Sequence, residues 1–161
     1  MTEKLKKIAI FADVQNIYYT TRQAYGRQFN YRLLWQRISE QGDIVLANAY
    51  AIKRDDEQQQ KFQQALQYIG FNIKLKPYIQ RTDGTAKGDW DVGIAIDILE
   101  TAATVDTVIL LSGDGDFDLL LEKIRQKHAV SAEVYGVATL TAQSLIQAAT
   151  LFHPIEDNLL M

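Results

Sequence analysis

The chain has 161 residues, 47% apolar and 23% charged, with a formal net charge of −3 and no cysteine. Length and balance fit one globular domain spanning 1–161, with enough bulk for a real core. The missing cysteines exclude a disulfide framework, a thiol nucleophile and a thiolate metal site, and suit a reducing cytoplasm. No stretch approaches the roughly 18 apolar residues of a membrane helix, and the apolar run after the basic N-terminus is too short for a signal peptide. The weak negative charge is no global nucleic-acid signature. An acidic active site lowers the net charge of a protein that still has a basic rim, and Lys53, Arg54, Lys74, Lys76, Arg81 and Lys87 are the candidates for such a rim.

In chain order, β-rich apolar runs alternate with helical patterns. Strands are predicted at 6–13 ("KKIAIFAD"), 43–52, 71–79, 106–112 and 131–137. Helices are predicted near 15–25, 31–41, 55–69, 89–103, 115–128 and 141–148. Runs such as "IAIF" and "VILLS" are continuously apolar, which suits strands covered on both faces. The alternation predicts a mainly parallel sheet of about five strands. The loop "QRTDGTAKGD" at 80–89, with turn glycines Gly84 and Gly88, reads as a flap.

In such sheets ligands sit beyond the carboxyl ends of the strands. Asp13 ends the first strand, and Asp114 and Asp116 follow the fourth, so the fold brings them to one edge. Asp91 joins by helical geometry: Ile94, Ala95, Ile98, Leu99 and Ala102 form a core-facing stripe that Asp91 continues at the first turn. Asp97 and Glu100 fall on the opposite face, where solvation is expected.

Each acid alone has an ordinary explanation. Asp13 suits an Asx turn or a cap, Asp89 or Asp91 favours a helix N-terminus, Asp114 caps the next helix, and Asp118 is a solvated helix residue. Together they do not. Two carboxylates about 5 Å apart repel by roughly 3 kcal/mol at an effective dielectric near 20. Total stability is only about 5–15 kcal/mol. A bound hard cation is the simplest resolution, and Mg²⁺ takes oxygen ligands together with substrate phosphate. A calcium loop fails: "DGDFD" has Leu119 at position 6 and Arg125 at position 12, where Gly and Glu are needed. A receiver-type pocket lacks a lysine after the last strand, where "VYGV" stands. His128 and His153 lack metal-pair spacing, and no glycine-rich nucleotide loop is present.

The assembled set resembles the NYN domains of the PIN-like nuclease superfamily, in particular the LabA-like group. The resemblance rests on "FADVQNI", "KGDWDVGIAIDIL" and "LLSGDGDFDLLL" in that order, and extends from residue 6 to about 137. It implies a Rossmann-like three-layer α/β/α sandwich and a metal-dependent ribonuclease site. Asp13, Asp91, Asp114 and Asp116 would be the catalytic acids, holding Mg²⁺ or Mn²⁺. Asn16 and Ser112 would be their polar neighbours, and Asp97 matches a further acidic position. Asp89 and Trp90 separate Lys87 from Asp91, a wider spacing than in many members. For RNA as partner, Lys87, Arg81, Lys53 and Arg54 are candidate phosphate contacts, and Tyr18, Tyr19 and Trp90 candidate stacking platforms. Two other readings stay open: a non-catalytic RNA- or protein-binding module with a metal-filled pocket, and a phosphohydrolase for small phosphates.

Overall fold

The computed structural model describes residues 5–53, 56–77, 79–80, 86–87 and 89–161. It contains β1 (Lys7–Asp13), α1 (Val14–Tyr25), α2 (Tyr31–Ser39), β2 (Asp43–Lys53), α3 (Glu57–Ile69), β3 (Asn72–Pro77), β4 (Ile79–Gln80) and β5 (Ala86–Lys87). Then follow α4 (Asp91–Thr101), β6 (Thr107–Leu111), α5 (Asp118–His128), β7 (Ser131–Gly136), α6 (Gln143–Ala148) and β8 (Leu151–Pro154). Six strands form one parallel sheet in the order β3-β2-β1-β6-β7-β8. The sixth strand, β8, is absent from the sequence reading. It is four residues long, contains a histidine and ends on a proline, and it exists only because the edge of β7 offers it a ladder.

The pleat explains the three layers. Ile8, Ile10 and Ala12 of β1 turn to one core, packed by Val14 and Ile17 of α1, Leu34 and Ile38 of α2, and Leu66 of α3. Ala9 and Phe11 turn to the other, packed by Ile94 and Ile98 of α4, Leu121 and Ile124 of α5, and Leu145 of α6. Successive side chains on a strand point to opposite faces, so a strand buried on both must be apolar throughout. The expected 115–128 helix splits into a 3-10 turn, Gly115–Phe117, and α5. The expected 71–79 strand ends at Pro77, and β4 and β5 pair antiparallel beside the main sheet. The rest of the expected flap lies outside the described residues.

Strand order reverses between β1 and β6. Both β2 and β6 flank β1, but their helices leave to opposite faces, and a crevice opens where the two connections part. Asp13 and Ser112 stand at this point.

Candidate metal centre at the carboxyl rim

β1 ends in Asp13, which is 9% exposed and accepts a hydrogen bond from Ser112 Oγ at 3.1 Å on its Oδ2. Ser112, fully buried after β6, takes the Asp114 N–H on the same oxygen at 3.2 Å. Asn16, in the first turn of α1, accepts the Gly113 N–H on Oδ1 at 2.9 Å. One side chain from each strand end thus clamps the loop that carries Asp114 and Asp116. Gly113 is required there by close approach: a Cβ at that position would lie 2.7 Å from the Leu140 carbonyl oxygen. Asp114 Oδ1 in turn accepts the Asp116 N–H at 2.9 Å, which starts the 3-10 turn.

Asp91 enters from the other side as the first residue of α4. Its position depends on Trp90, whose indole N–H donates to the Ala51 carbonyl at 2.9 Å and whose ring lies 5.3 Å from that of Tyr50. The Lys76 ammonium sits 4.6 Å from the Trp90 centroid, over its ring. Gly93 leaves room for this ring, since a Cβ there would meet it at 2.6 Å. Trp90 is therefore a packed anchor for the start of α4 rather than an open stacking platform.

Asp91, Asp114 and Asp116 each place a carboxylate oxygen within 4.8 Å of the others. Such proximity is unfavourable without a counter-charge, and two carboxyls here, Asp91 and Asp13, are raised. Asp91 is pushed up to about 7, first by burial, then by its hydrogen bond to Asp114 and the charges of Asp114, Asp89 and Asp13. Asp13 is raised to about 6 by burial, against the opposing hydrogen bonds from Ser112 and the Asn16 N–H, with the charges of Asp114 and Asp89 adding to the rise. At the start of α1, Asp13 makes no capping hydrogen bond of good geometry; it remains beside the trio, tied to Ser112.

The structure gives Asp97 a different place from the solvated face expected. Its Oδ2 accepts from both Lys74 Nζ and Tyr50 Oη, each at 2.7 Å, and Tyr50 Oη takes the Asn48 amide at 3.1 Å. Burial acts to raise the Asp97 carboxyl, but these two donors and the lysine charge win and hold it below the usual range. Helical spacing placed Asp97 away from Asp91 correctly, but could not show that β2 and β3 reach past α4 to meet it. The same pair commits Lys74, a candidate rim cation, to a structural partner. Leu99, assigned to the core stripe, is 47% exposed.

Asp89, read from sequence only as a helix-start residue, belongs to the acidic group electrostatically and accepts the Asp91 N–H at 3.2 Å. The doublet "DWD" before a helix was its signal. Tyr18 and Tyr19 lie on the outer surface of α1, 42% and 49% exposed, with the Arg22 guanidinium 5.8 Å from the Tyr18 centroid. Lys53 is exposed at the carboxyl end of β2. Arg54, Arg81 and the side chain of Lys87 lie outside the described residues. No described helix is long and apolar enough to cross a membrane.

The donor set fits a hard divalent cation: carboxylate oxygens alone, without imidazole or thiolate, with one of the three acids, Asp116, exposed to solvent. Comparisons with known proteins place the chain among relatives. The family model described as the NYN domain matches residues 7–156. The low amplitude and bright protein LabA of Synechococcus elongatus is 30% identical over 165 aligned residues, covering 98% of this chain and 88% of that protein. A crystal structure of a protein of unknown function from Vibrio parahaemolyticus is 50% identical and superposes with a TM-score of 0.95, covering 100% of this chain and 99% of the other.

Proposed function

The chain belongs to the NYN domain family, of the PIN-like nucleases, and from that premise we propose that it is a metal-dependent endoribonuclease acting at the carboxyl rim of its sheet. The observation that carries this reading is the meeting of Asp91, Asp114 and Asp116 at the point where strand order reverses.

Asp91, Asp114 and Asp116 would hold Mg²⁺ or Mn²⁺, with Asp13 as the fourth acid at their back. Bound there, such an ion would lower the pKa of water, polarise a phosphoryl oxygen and offset developing charge. The chain's own contribution is alignment. Asp13 and Asn16 hold the 112–116 loop through Ser112 and Gly113, and Trp90 sets the start of α4, so the acids from two connections stay in register. Preorganisation of this kind avoids reordering charged groups during the reaction. No histidine is needed as base: His153 is committed to Glu133, and His128 is the last residue of α5, at the other end of that helix from Asp118. Exposed Lys53 and Arg22, with Arg81 and with Lys87 of β5, would supply cations for RNA phosphates, and Tyr18 would supply an exposed ring on α1.

The deciding experiment incubates purified protein with RNA and DNA oligonucleotides in Mn²⁺, Mg²⁺ or EDTA. RNA is cut with metal and not in EDTA. Asp13→Asn and Asp114→Asn each remove nearly all cleavage while leaving the fold intact, because Asn keeps the shape of Asp without its charge. Asp118→Asn stays near wild type; its carboxylate takes the adjacent Leu119 N–H at the start of α5. Cleavage that survives EDTA or Asp13→Asn undiminished would sink the proposal, and metal-dependent RNA binding without cleavage would leave a binding module instead.

A further inference from the structure

β3 sends two lysines toward α4. Residues two apart on a strand share a face, so Lys74 and Lys76 stand side by side under that helix. Lys74 Nζ meets the Asp97 carboxylate at 2.7 Å and lies 5.9 Å from the Tyr50 ring centroid. Lys76 Nζ lies 4.6 Å from the Trp90 centroid, and the Trp90 and Tyr50 rings are 5.3 Å apart. Cations and rings thus follow one another in the order Lys74, Tyr50, Trp90, Lys76.

The two lysines end differently. Lys74 is paired with an acid, whereas Lys76 makes no ion pair among the described residues. Its ammonium donates to the backbone carbonyl of Asp89 at 3.3 Å, while the Asp89 carboxylate accepts the Asp91 N–H. An ammonium has three donors; one takes this carbonyl, and the tryptophan face, the best aromatic partner for a cation, holds the charge. A cation that stands beside acids and pairs with none of them leaves their charge for another ion.

Asp89 and Trp90 are the two residues before α4, so Lys76 grips the chain where that helix begins. Trp90 stands at the N-cap but gives no side-chain cap; its carbonyl accepts the Ile94 N–H at 2.8 Å, which opens the helix. The first N–H groups of a helix have no partner within it, so an uncapped start frays unless something else holds it. Here the Ala51 carbonyl holds the indole N–H at 2.9 Å, and the Lys76 ammonium covers the ring. Asp91 comes next in the chain, with its carboxylate among those of Asp114 and Asp116. A turn of Trp90 would carry Asp91 with it.

We propose that Lys76 is a positioning residue of the metal centre: it holds Trp90 and the Asp89 carbonyl, and through them the Asp91 carboxylate, while pairing with none of the acids. The role rests on the reading of the rim as a metal site. It also fixes the sign of a measurable effect. By charge alone, removing a lysine from the neighbourhood of a cation site tightens binding, because a repulsion disappears. Removing a lysine that positions a ligand weakens it, since the groups behind a metal ligand orient it.

Two measurements on the full chain test this: calorimetric titration with Mn²⁺, and hydrogen exchange at the Ile94 amide in EDTA, which reads the helix start without metal. Lys76→Ala and Lys76→Met raise the Mn²⁺ Kd about tenfold. Both also speed Ile94 exchange by roughly fivefold or more, as a local opening does. Lys76→Arg stays within about twofold of wild type on both counts, because a guanidinium also stacks on an aromatic face and donates. Asp97→Asn, which loosens the strut on the same helix, keeps the wild-type Kd, so lost stability by itself does not produce the effect. Melting curves show which variants are folded, and Lys76→Met retains the side-chain stem if Lys76→Ala does not fold. Unchanged or tighter Mn²⁺ binding in the Lys76 variants, unchanged Ile94 exchange, or an equal loss in Asp97→Asn overturns the role of Lys76 and leaves the metal centre standing. A wild type that binds no Mn²⁺ removes the centre and this role with it.

Discussion

Asp91 and Asp97 lie on one helix, less than two turns apart, and their surroundings drive them in opposite directions. Asp91 faces Asp114 with Asp89 and Asp13 close by, and its carboxyl rises to about 7. Asp97 faces Lys74 and Tyr50, and its carboxyl is lowered. The same side chain on the same α4 is at one end a group in want of a cation, at the other a strut that already has one. Charge concentration therefore stays unanswered only where no cation has been supplied to offset it, and the cation and donors come from other elements. β2 and β3 deliver theirs to Asp97; the loop after β6 delivers more acid to Asp91.

This contrast is most exposed by pH. Asp13 and Asp91 have folded-state values raised above the ordinary 3.8, to about 6 and about 7, so the metal-free native state binds more protons than the unfolded chain between pH 4 and 7. Their contribution is complete below pH 4 and is lost as pH rises through those values. Asp97, lowered, contributes above its unfolded value and loses that contribution only below about pH 4. Metal-free protein should thus melt highest near pH 4 to 5. For buried Asp13 the rise of about two units corresponds to about 3 kcal/mol, or roughly 6–12 °C in a domain of this size. Calorimetric scans in EDTA from pH 4 to 8 check the fall, and Asp13→Asn should flatten it. A melting temperature that climbs toward pH 7 would contradict the assignment.

Divalent metal should supply what Asp91 lacks. At pH 7.5, Mn²⁺ or Mg²⁺ at a hundred times its Kd stabilises by about 2.7 kcal/mol, which is about 5–10 °C. Asp114→Asn should lose most of that response. Thermal melts with and without metal decide it, and indifference of the wild type to millimolar Mn²⁺ and Mg²⁺ removes the metal centre.

A somewhat smaller effect belongs to the strut. Asp97→Ala strands the Tyr50 hydroxyl and the Lys74 ammonium and should cost about 2 kcal/mol, roughly 4–8 °C. Asp97→Asn keeps an acceptor for Tyr50 and should cost less. Both should keep the full metal response, because Asp97 is no part of the acidic trio. Urea titration gives the stability loss, and a missing metal response in Asp97→Asn would move Asp97 into the site and erase the contrast.

Periodicity and composition made much of this protein legible beforehand. Continuous apolar runs such as "IAIF" have no polar face, so they had to be covered on both sides, and the alternation with helices made the sheet parallel. Asp13 ends β1, Asp114 and Asp116 come soon after β6, and strand ends in such a sheet share an edge; their convergence was therefore a property of local sequence plus fold class. The stripe from Ile94 through Ile98 aimed Asp91 inward for the same reason.

Other features depend on pairs of residues far apart in the chain, and no local pattern contains them. β8 is too short to be recognised alone and is defined by the ladder of β7. Trp90 is an anchor because Ala51, 39 positions earlier, presents its carbonyl to the indole. Asp97 is a strut because Lys74 lies 23 positions away in sequence and 2.7 Å away in space. The Arg37–Tyr135–His153 assembly draws on α2, β7 and β8 at once. A side chain's own chemistry states what it can bond to; the energy of the bond is realised only when folding delivers the partner and removes the water between them. Local sequence and fold class decided which strand ends would carry acids, and tertiary structure decided which of them would be answered.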